Sequence, residues 1–225
     1  MTDPSTQRPD VVRGETRKLN VLTAKPNNDG VDSAVAAARR VIEALLHAGD
    51  RTSAEMGAIA SQLTAVADHL VEHAGSVDDR LVDMWAGEGV TRHDPITGPE
   101  NAIAPPLSLE GREDGSIGGV VTLGLPYQGP PGHVHGGVSS MLLDHVLGVA
   151  NAWAGDSGMT KVLTLTYHRP TPLFRELEIT GRQTQVDGRK IWTTGEITVD
   201  GDPCVSAEGL FINAQVARPR HPDTP

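Results

Sequence analysis

The sequence predicts an α+β fold in which an antiparallel sheet wraps around one central helix, with a helical extension in front. Three observations predict it. Apolar residues recur at steps of three and four between residues 31 and 86, whereas strand-like runs dominate after residue 105. Asp187-Gly188 and Asp200-Gly201 each stand between two such runs, where tight hairpins turn. Residues 137–154 are apolar on nearly every face, the pattern of a helix enclosed by other elements. The 225 residues suffice for one well-cored domain plus an extension, or for two small domains.

Residues 1–30 are polar and punctuated by Pro4, Pro9, Pro26 and Asn27-Asn28-Asp29-Gly30, so they read as a mobile arm. Residues 31–86 read as a helical extension. Val31, Val35, Ala38, Ile42 and Leu45 keep a helical period that ends at His47-Ala48-Gly49, with the glycine as C-terminal cap. Thr52-Ser53-Ala54-Glu55 has capping-box spacing and opens a second helix. Its narrow stripe of Met56, Ile59, Leu63, Val66 and Leu70 is expected to pack into a core. Ser76-Val77-Asp78-Asp79 starts a short third helix through Trp85, so the extension is expected to be a helical hairpin with an appended turn.

Residues 87–104 are rich in Gly, Pro, Asn and Asp and form a connector. The main domain is placed at 105–215, with a tail at 216–225. It opens with a hairpin of 106–110 and 116–125 around Glu113-Asp114-Gly115. After the central helix come four strands at about 159–169, 175–186, 189–199 and 203–213, expected as a four-stranded meander with type I′ turns at the Asp-Gly pairs. Residues 1–84 contain no aromatic ring, and six of the seven rings follow Tyr127 or are Tyr127 itself, so the main core belongs to the C-terminal half.

Nineteen Lys and Arg against 29 Asp and Glu give a net charge of −10, which excludes general nucleic-acid binding; few rings argue against stacking platforms for single strands. The lone Cys204 allows neither an intrachain disulfide nor a cysteine-based zinc site and fits a reducing compartment. No apolar run of membrane-spanning length exists, and the N-terminus mixes Arg8, Arg13, Arg17 and Lys18 with Asp3, Asp10 and Glu15, without the apolar stretch of a signal peptide. A cytoplasmic protein is expected.

The chemistry concentrates around the central helix. Residues 127–137, Tyr-Gln-Gly-Pro-Pro-Gly-His-Val-His-Gly-Gly, lead into a helix N-terminus where backbone N–H groups lack partners. Gly136 and Gly137 let a ligand oxygen approach those N–H groups closely, which suits a carbonyl that becomes an oxyanion. Asp144 is an anomaly, a carboxylate among Met141, Leu142, Leu143, Val146 and Leu147. It follows Gly136 by eight residues, about 12 Å along a helix axis. One small reacting group does not span that gap, so joint action by both requires a second copy of the helix, running antiparallel in a two-fold dimer.

The segment Gly132-His133-Val134-His135-Gly136-Gly137, with Asp144 nine residues after His135, resembles the hotdog-fold acyl-CoA thioesterases. The likeness is to the branch of the phenylacetate-pathway thioesterases and the mammalian thioesterase superfamily members. It continues through 165–173 (Leu-Thr-Tyr-His-Arg-Pro-Thr-Pro-Leu) and 186–190 (Val-Asp-Gly-Arg-Lys), covering roughly residues 105–213. The resemblance implies a hotdog fold and hydrolysis of an acyl-CoA thioester by a homodimer, with pairing of dimers left open. The Gly136 N–H would polarise the thioester carbonyl. The partner subunit's Asp144 would serve as general base or nucleophile, Thr160 would hold the water, and His135 would orient the glycine loop. Some relatives carry an Asn or an acid six residues before the histidine, where this chain has Gly129. No cofactor is expected, coenzyme A entering as part of the substrate.

Lys161, Arg169, Arg175, Arg189 and Lys190 form a local basic group in an acidic chain. Arg169 and Arg189 are the candidates for the phosphates of coenzyme A, the rest reading as solvated strand faces. His133, His135 and His145 lie too far apart along the chain for a metal site, so none is expected. Ser139 and Ser140 lack the Gly-x-Ser-x-Gly elbow of a serine hydrolase. Two other functions fit the fold: a non-enzymatic acyl-CoA sensor or scaffold, and an enoyl-CoA hydratase or dehydratase.

Overall fold

The structure, a computed structural model, describes residues 21–26, 30–49, 53–77 and 92–213. In chain order the elements are α1 (Gly30–Ala48), α2 (Ser53–Glu72), β1 (Ser108–Gly111), β2 (Ile117–Thr122), a 3-10 turn (Leu125–Tyr127), α3 (Gly136–Ala154), β3 (Met159–Tyr167), β4 (Glu176–Asp187), β5 (Lys190–Val199) and β6 (Asp202–Ile212). All strand pairs are antiparallel, and the six strands form one sheet in the order β1-β2-β4-β5-β6-β3. The sheet packs one face on α3, giving the hotdog architecture. No helix among the described residues is long and apolar enough to cross a membrane.

The expected four-stranded meander is corrected: only β4, β5 and β6 follow one another, while β3 crosses over to pair with β6, Thr160 opposite Phe211 and Tyr167 opposite Val205. The β3–β4 link, with Pro170 and Pro172, passes β6 and β5 to reach β4 in the interior of the sheet instead of turning back as a hairpin. Of the two Asp-Gly turns, Asp200 (φ 55°) and Gly201 (φ 83°) both adopt the left-handed conformation that type I′ requires. At the other, Asp187 pairs with Lys190, the loop is Gly188-Arg189, and only Gly188 has positive φ (57°).

The core is aliphatic. Leu142, Leu143, Val146, Leu147 and Ala150 of α3 meet Leu177, Ile179, Ile191, Ile197 and Val205 of the sheet, and Phe211 is the ring fully buried there. Two glycines set the approach of helix to sheet. A Cβ on Gly181 would lie 2.9 Å from Val146 Cγ1, and one on Gly195 would lie 2.8 Å from Leu147 Cδ2. The helix is not enclosed on every side, as its composition suggested. Ser139, Leu142, Leu143, Val146, Leu147, Ala150 and Asn151 are buried, but Asp144, His145, Gly148 and Val149 form a half-open flank.

The extension departs further from expectation. The α2 stripe does not pack into a core: Leu63, Val66 and Leu70 are exposed. The third helix, apart from Ser76 and Val77, lies outside the described residues, as do residues 1–20 of the arm and the tail at 216–225. The arm's end is attached to the sheet, with Val21 bridging Glu110, the Leu22 N–H donating to Leu109 O at 2.9 Å, and Thr23 buried. Helix α1 is pinned to the connector: buried Asp32 accepts from Arg92 at 2.7 Å, and Arg92 also reaches Glu100 at 2.6 Å.

Candidate active site

His135 is the N-cap of α3, with extended backbone (φ −63°, ψ 133°). Its N–H is held by Tyr127 O at 2.9 Å, and its carbonyl accepts from Val138 N–H at 2.9 Å. The chain therefore enters the helix in one fixed orientation. The His135 Nδ1 accepts from the Gly137 N–H at 2.9 Å. This revises the sequence reading of Gly137: its N–H is already capped and is not offered to a ligand. The Gly136 N–H has no acceptor among the described residues. The Gly136 carbonyl accepts from Tyr167 Oη at 2.9 Å and Ser140 Oγ at 3.1 Å, and those two hydroxyls are 3.0 Å apart. One glycine N–H is thus aimed outward from a loop held on both sides, the geometry of an oxyanion donor.

Gly129 has a steric reason for its departure from the relatives' Asn or acid. A Cβ there would lie 2.7 Å from His135 Cα, so a side chain would displace the histidine that caps the loop.

Asp144 lies two turns further along α3, on the half-open flank. Its Oδ1 accepts from Thr160 Oγ1 at 2.8 Å. The Thr160 hydroxyl orients the carboxylate and keeps lone pairs with which to accept from water. Asp144 and Thr160, chosen separately from the sequence, thus meet within one chain. Gly136 and Asp144 do not: the glycine is tied to Tyr167 at one end of β3 and the aspartate to Thr160 at the other.

Beside this pair the connector contributes groups the sequence reading missed. Asp94 Oδ1 accepts from the Ile96 and Thr97 N–H groups, and its Oδ2 accepts from Thr97 Oγ1 at 3.0 Å. Thr97 Oγ1 lies 3.2 Å from His145 Nε2. Burial pushes His145 below the usual histidine range, while the negative charges of Asp94 and Asp144 oppose that shift. Tyr167 and Ser140 were also missed. Tyr167 stood inside the recognised run, and Ser140 follows Gly136 by four residues, one helical turn away.

The two arginines are committed locally. Arg169 Nη2 donates to the Val199 and Asp202 carbonyls, each at 2.8 Å, and so braces the β5–β6 turn. Arg189 Nε donates to Asn213 O at 3.0 Å. Both keep further N–H groups, but neither is brought to Gly136 or Asp144 by a contact among the described residues.

Residues 131–206 match the thioesterase superfamily family model, and residues 22–79 match the model described as hypothetical protein RHA1_ro05818, N-terminal helical domain. A crystal structure of protein RHA08564, a thioesterase superfamily protein, is 62% identical, with a TM-score of 0.80 over 86% of this chain and 95% of that one. The acyl-coenzyme A thioesterase THEM4 of Xenopus laevis is 33% identical over 90 residues, 39% of this chain and 40% of that protein. THEM4 of Bos taurus is 36% identical over 92 residues, 40% of this chain and 38% of the relative. The chain therefore spans about two fifths of the length of these curated relatives.

Proposed function

The chain belongs to the thioesterase superfamily, and from that premise we propose that it hydrolyses an acyl-CoA thioester at a site shared by two copies. The observation that carries this reading is the division of the site within one chain. A Gly136 N–H with no acceptor among the described residues lies at one end of β3, and an Asp144 carboxylate oriented by Thr160 at 2.8 Å lies at the other.

The state of β3 supports the dimer. It is an edge strand with Met159, Val162 and Tyr167 at 62%, 49% and 53% exposure, an apolar edge of the kind natural sheets cover. Antiparallel pairing with the partner's β3, centred between Leu163 and Thr164, places Tyr167 opposite the partner subunit's Thr160. Gly136 then faces the partner subunit's Asp144, and the half-open flank of α3 is covered.

In the reaction the thioester carbonyl oxygen accepts from the Gly136 N–H, aided by the positive end of the α3 dipole. Asp144 of the other chain takes a proton from water held against Thr160, and the resulting hydroxide attacks the carbonyl carbon. The tetrahedral oxyanion collapses, the C–S bond breaks, and the coenzyme A thiolate leaves to take up the proton. No cofactor enters, and the spare N–H groups of Arg169 and Arg189 are assigned to coenzyme A phosphates.

Asp144→Asn is expected to keep the dimer and lose about 10²-fold or more in kcat on a panel of acyl-CoAs. Unchanged turnover would remove the assignment.

A further inference from the structure

A cavity of about 630 Å³ lies between α1 and the loops at the end of β2. Ile42, Leu45 and Leu46 form its helical wall, and Ile103, Tyr127 and Phe174 line the opposite side. Helix α1 of the extension and Ile103 of the connector thus supply one part of the lining, and Tyr127 and Phe174 of the main domain supply the rest, so the cavity exists only with the extension in place. The wall is preorganised. The Asp32–Arg92–Glu100 ion pairs fix α1 to the connector, and Arg39 Nη2 donates to Asn101 O at 2.8 Å.

Two further observations point to an occupant. Phe174 adopts φ 58° and is 56% exposed. A bulky side chain in the left-handed region is strained, and such strain persists where surrounding structure enforces it, often at ligand sites. Here the Phe174 N–H is held by Leu123 O at 2.9 Å, which keeps the ring at the cavity. Tyr127 lines the cavity while its carbonyl holds the His135 N–H at 2.9 Å, one residue before the outward N–H of Gly136. One residue of the cavity wall thus also holds the loop that presents the Gly136 N–H. Another depression, of about 540 Å³, is lined by Arg112, Arg182, Glu196 and Glu208, against Arg39 and Glu43 as the charged residues of the first, and suits hydrocarbon less well.

We propose that this cavity receives the aliphatic chain of the acyl group, so that the N-terminal extension sets chain-length preference. The inference rests on the hydrolase reading. An acetyl or arylacetyl group would leave most of the space to water, whereas each methylene of a longer chain gains burial against Ile42, Leu45 and Leu46.

The test uses the full chain, with Leu46→Trp to fill the cavity and Ile42→Glu to place a charge in it. Hydrolysis is measured across saturated acyl-CoAs from butyryl to palmitoyl. Binding of the same series is measured on an Asp144→Asn background, independently of turnover. The dodecanoyl-to-butyryl ratio of kcat/KM, and the matching ratio of affinities, should each fall about tenfold or more in both variants. Ratios equal to those of the parent chain in folded Leu46→Trp would overturn the proposal. If no acyl-CoA is hydrolysed, the hydrolase reading fails, and the affinity ratio still decides whether the cavity takes the chain.

Discussion

Gly136→Pro removes one hydrogen-bond donor from this site with little else disturbed. Gly136 is the first residue of α3, a position where proline is favoured because its fixed φ fits the helix and its missing N–H has no helical partner. The preceding His135 has φ −63° and ψ 133°, the extended conformation required before proline. A Cβ at 136 meets nothing nearer than Tyr167 Oη at 3.4 Å. The fold should therefore survive while the outward N–H is lost. Deleting an oxyanion donor costs about 10²–10³ in kcat, roughly 2.7–4 kcal/mol of transition-state stabilisation. The assay is steady-state release of free coenzyme A thiol, run beside Gly136→Ala, which keeps the N–H. The expected result is a proline variant with a native unfolding midpoint and the full loss, and an alanine variant within a few-fold of the parent. A proline variant with parental kcat, or an alanine variant as impaired as proline, would refute the assignment of this N–H.

Thr160→Val keeps the shape of the side chain but deletes the 2.8 Å bond to Asp144; kcat should fall about 10²-fold with little change in KM, as read from full kinetic curves. His135→Ala frees the Gly137 N–H, so urea unfolding should show a loss of about 1 kcal/mol, the usual worth of an N-cap. His145 is held below its ordinary value near 6.5 mainly by burial. The unfolded chain then binds this proton more readily than the folded one. The associated stability is complete above about pH 6.5 and declines as pH falls from there through the folded pKa. His145→Gln should flatten that part of the stability profile between about pH 7 and 5, and an unchanged slope would count against a buried neutral imidazole.

Local signals survived into the structure where the chain alone determines them. Asp200-Gly201 turns as its residue types require, because both positions need positive φ and the neighbouring strands need only two residues to reverse. The helix over Gly136–Ala154 is legible from its composition, but which flank stays open is not. Apolar content shows what can be buried and not what covers it, and Val149 and Gly148 remain partly open where Val146 and Leu147 do not. The same limit explains the α2 stripe, whose spacing is helical but whose Leu63, Val66 and Leu70 meet solvent in the single chain. The partner of β3 depends on a crossover between distant residues, which no local period encodes. In the site, Asp144 stood out because a carboxylate in an apolar helix needs a reason, and the structure supplies the Thr160 hydroxyl. Tyr167 and Ser140 carried no such anomaly, since a tyrosine in a strand and a serine in a helix are ordinary until both reach the same glycine carbonyl. The connector read as a spacer because its Gly, Pro and Asp content marks turns; those turns aim Asp94 and Thr97 at His145.

The shared site is tested most directly by mixing Gly136→Pro chains with Asp144→Asn chains after unfolding and refolding together. Each variant alone lacks one half of every site. In a mixed dimer one site joins the intact Gly136 of one chain to the intact Asp144 of the other, and the second site carries both lesions. Random pairing of equal amounts makes half the dimers mixed, so about a quarter of parental activity should return. Activity no higher than the sum of the separate variants, with mixed dimers shown to be present, would contradict a site built across two copies.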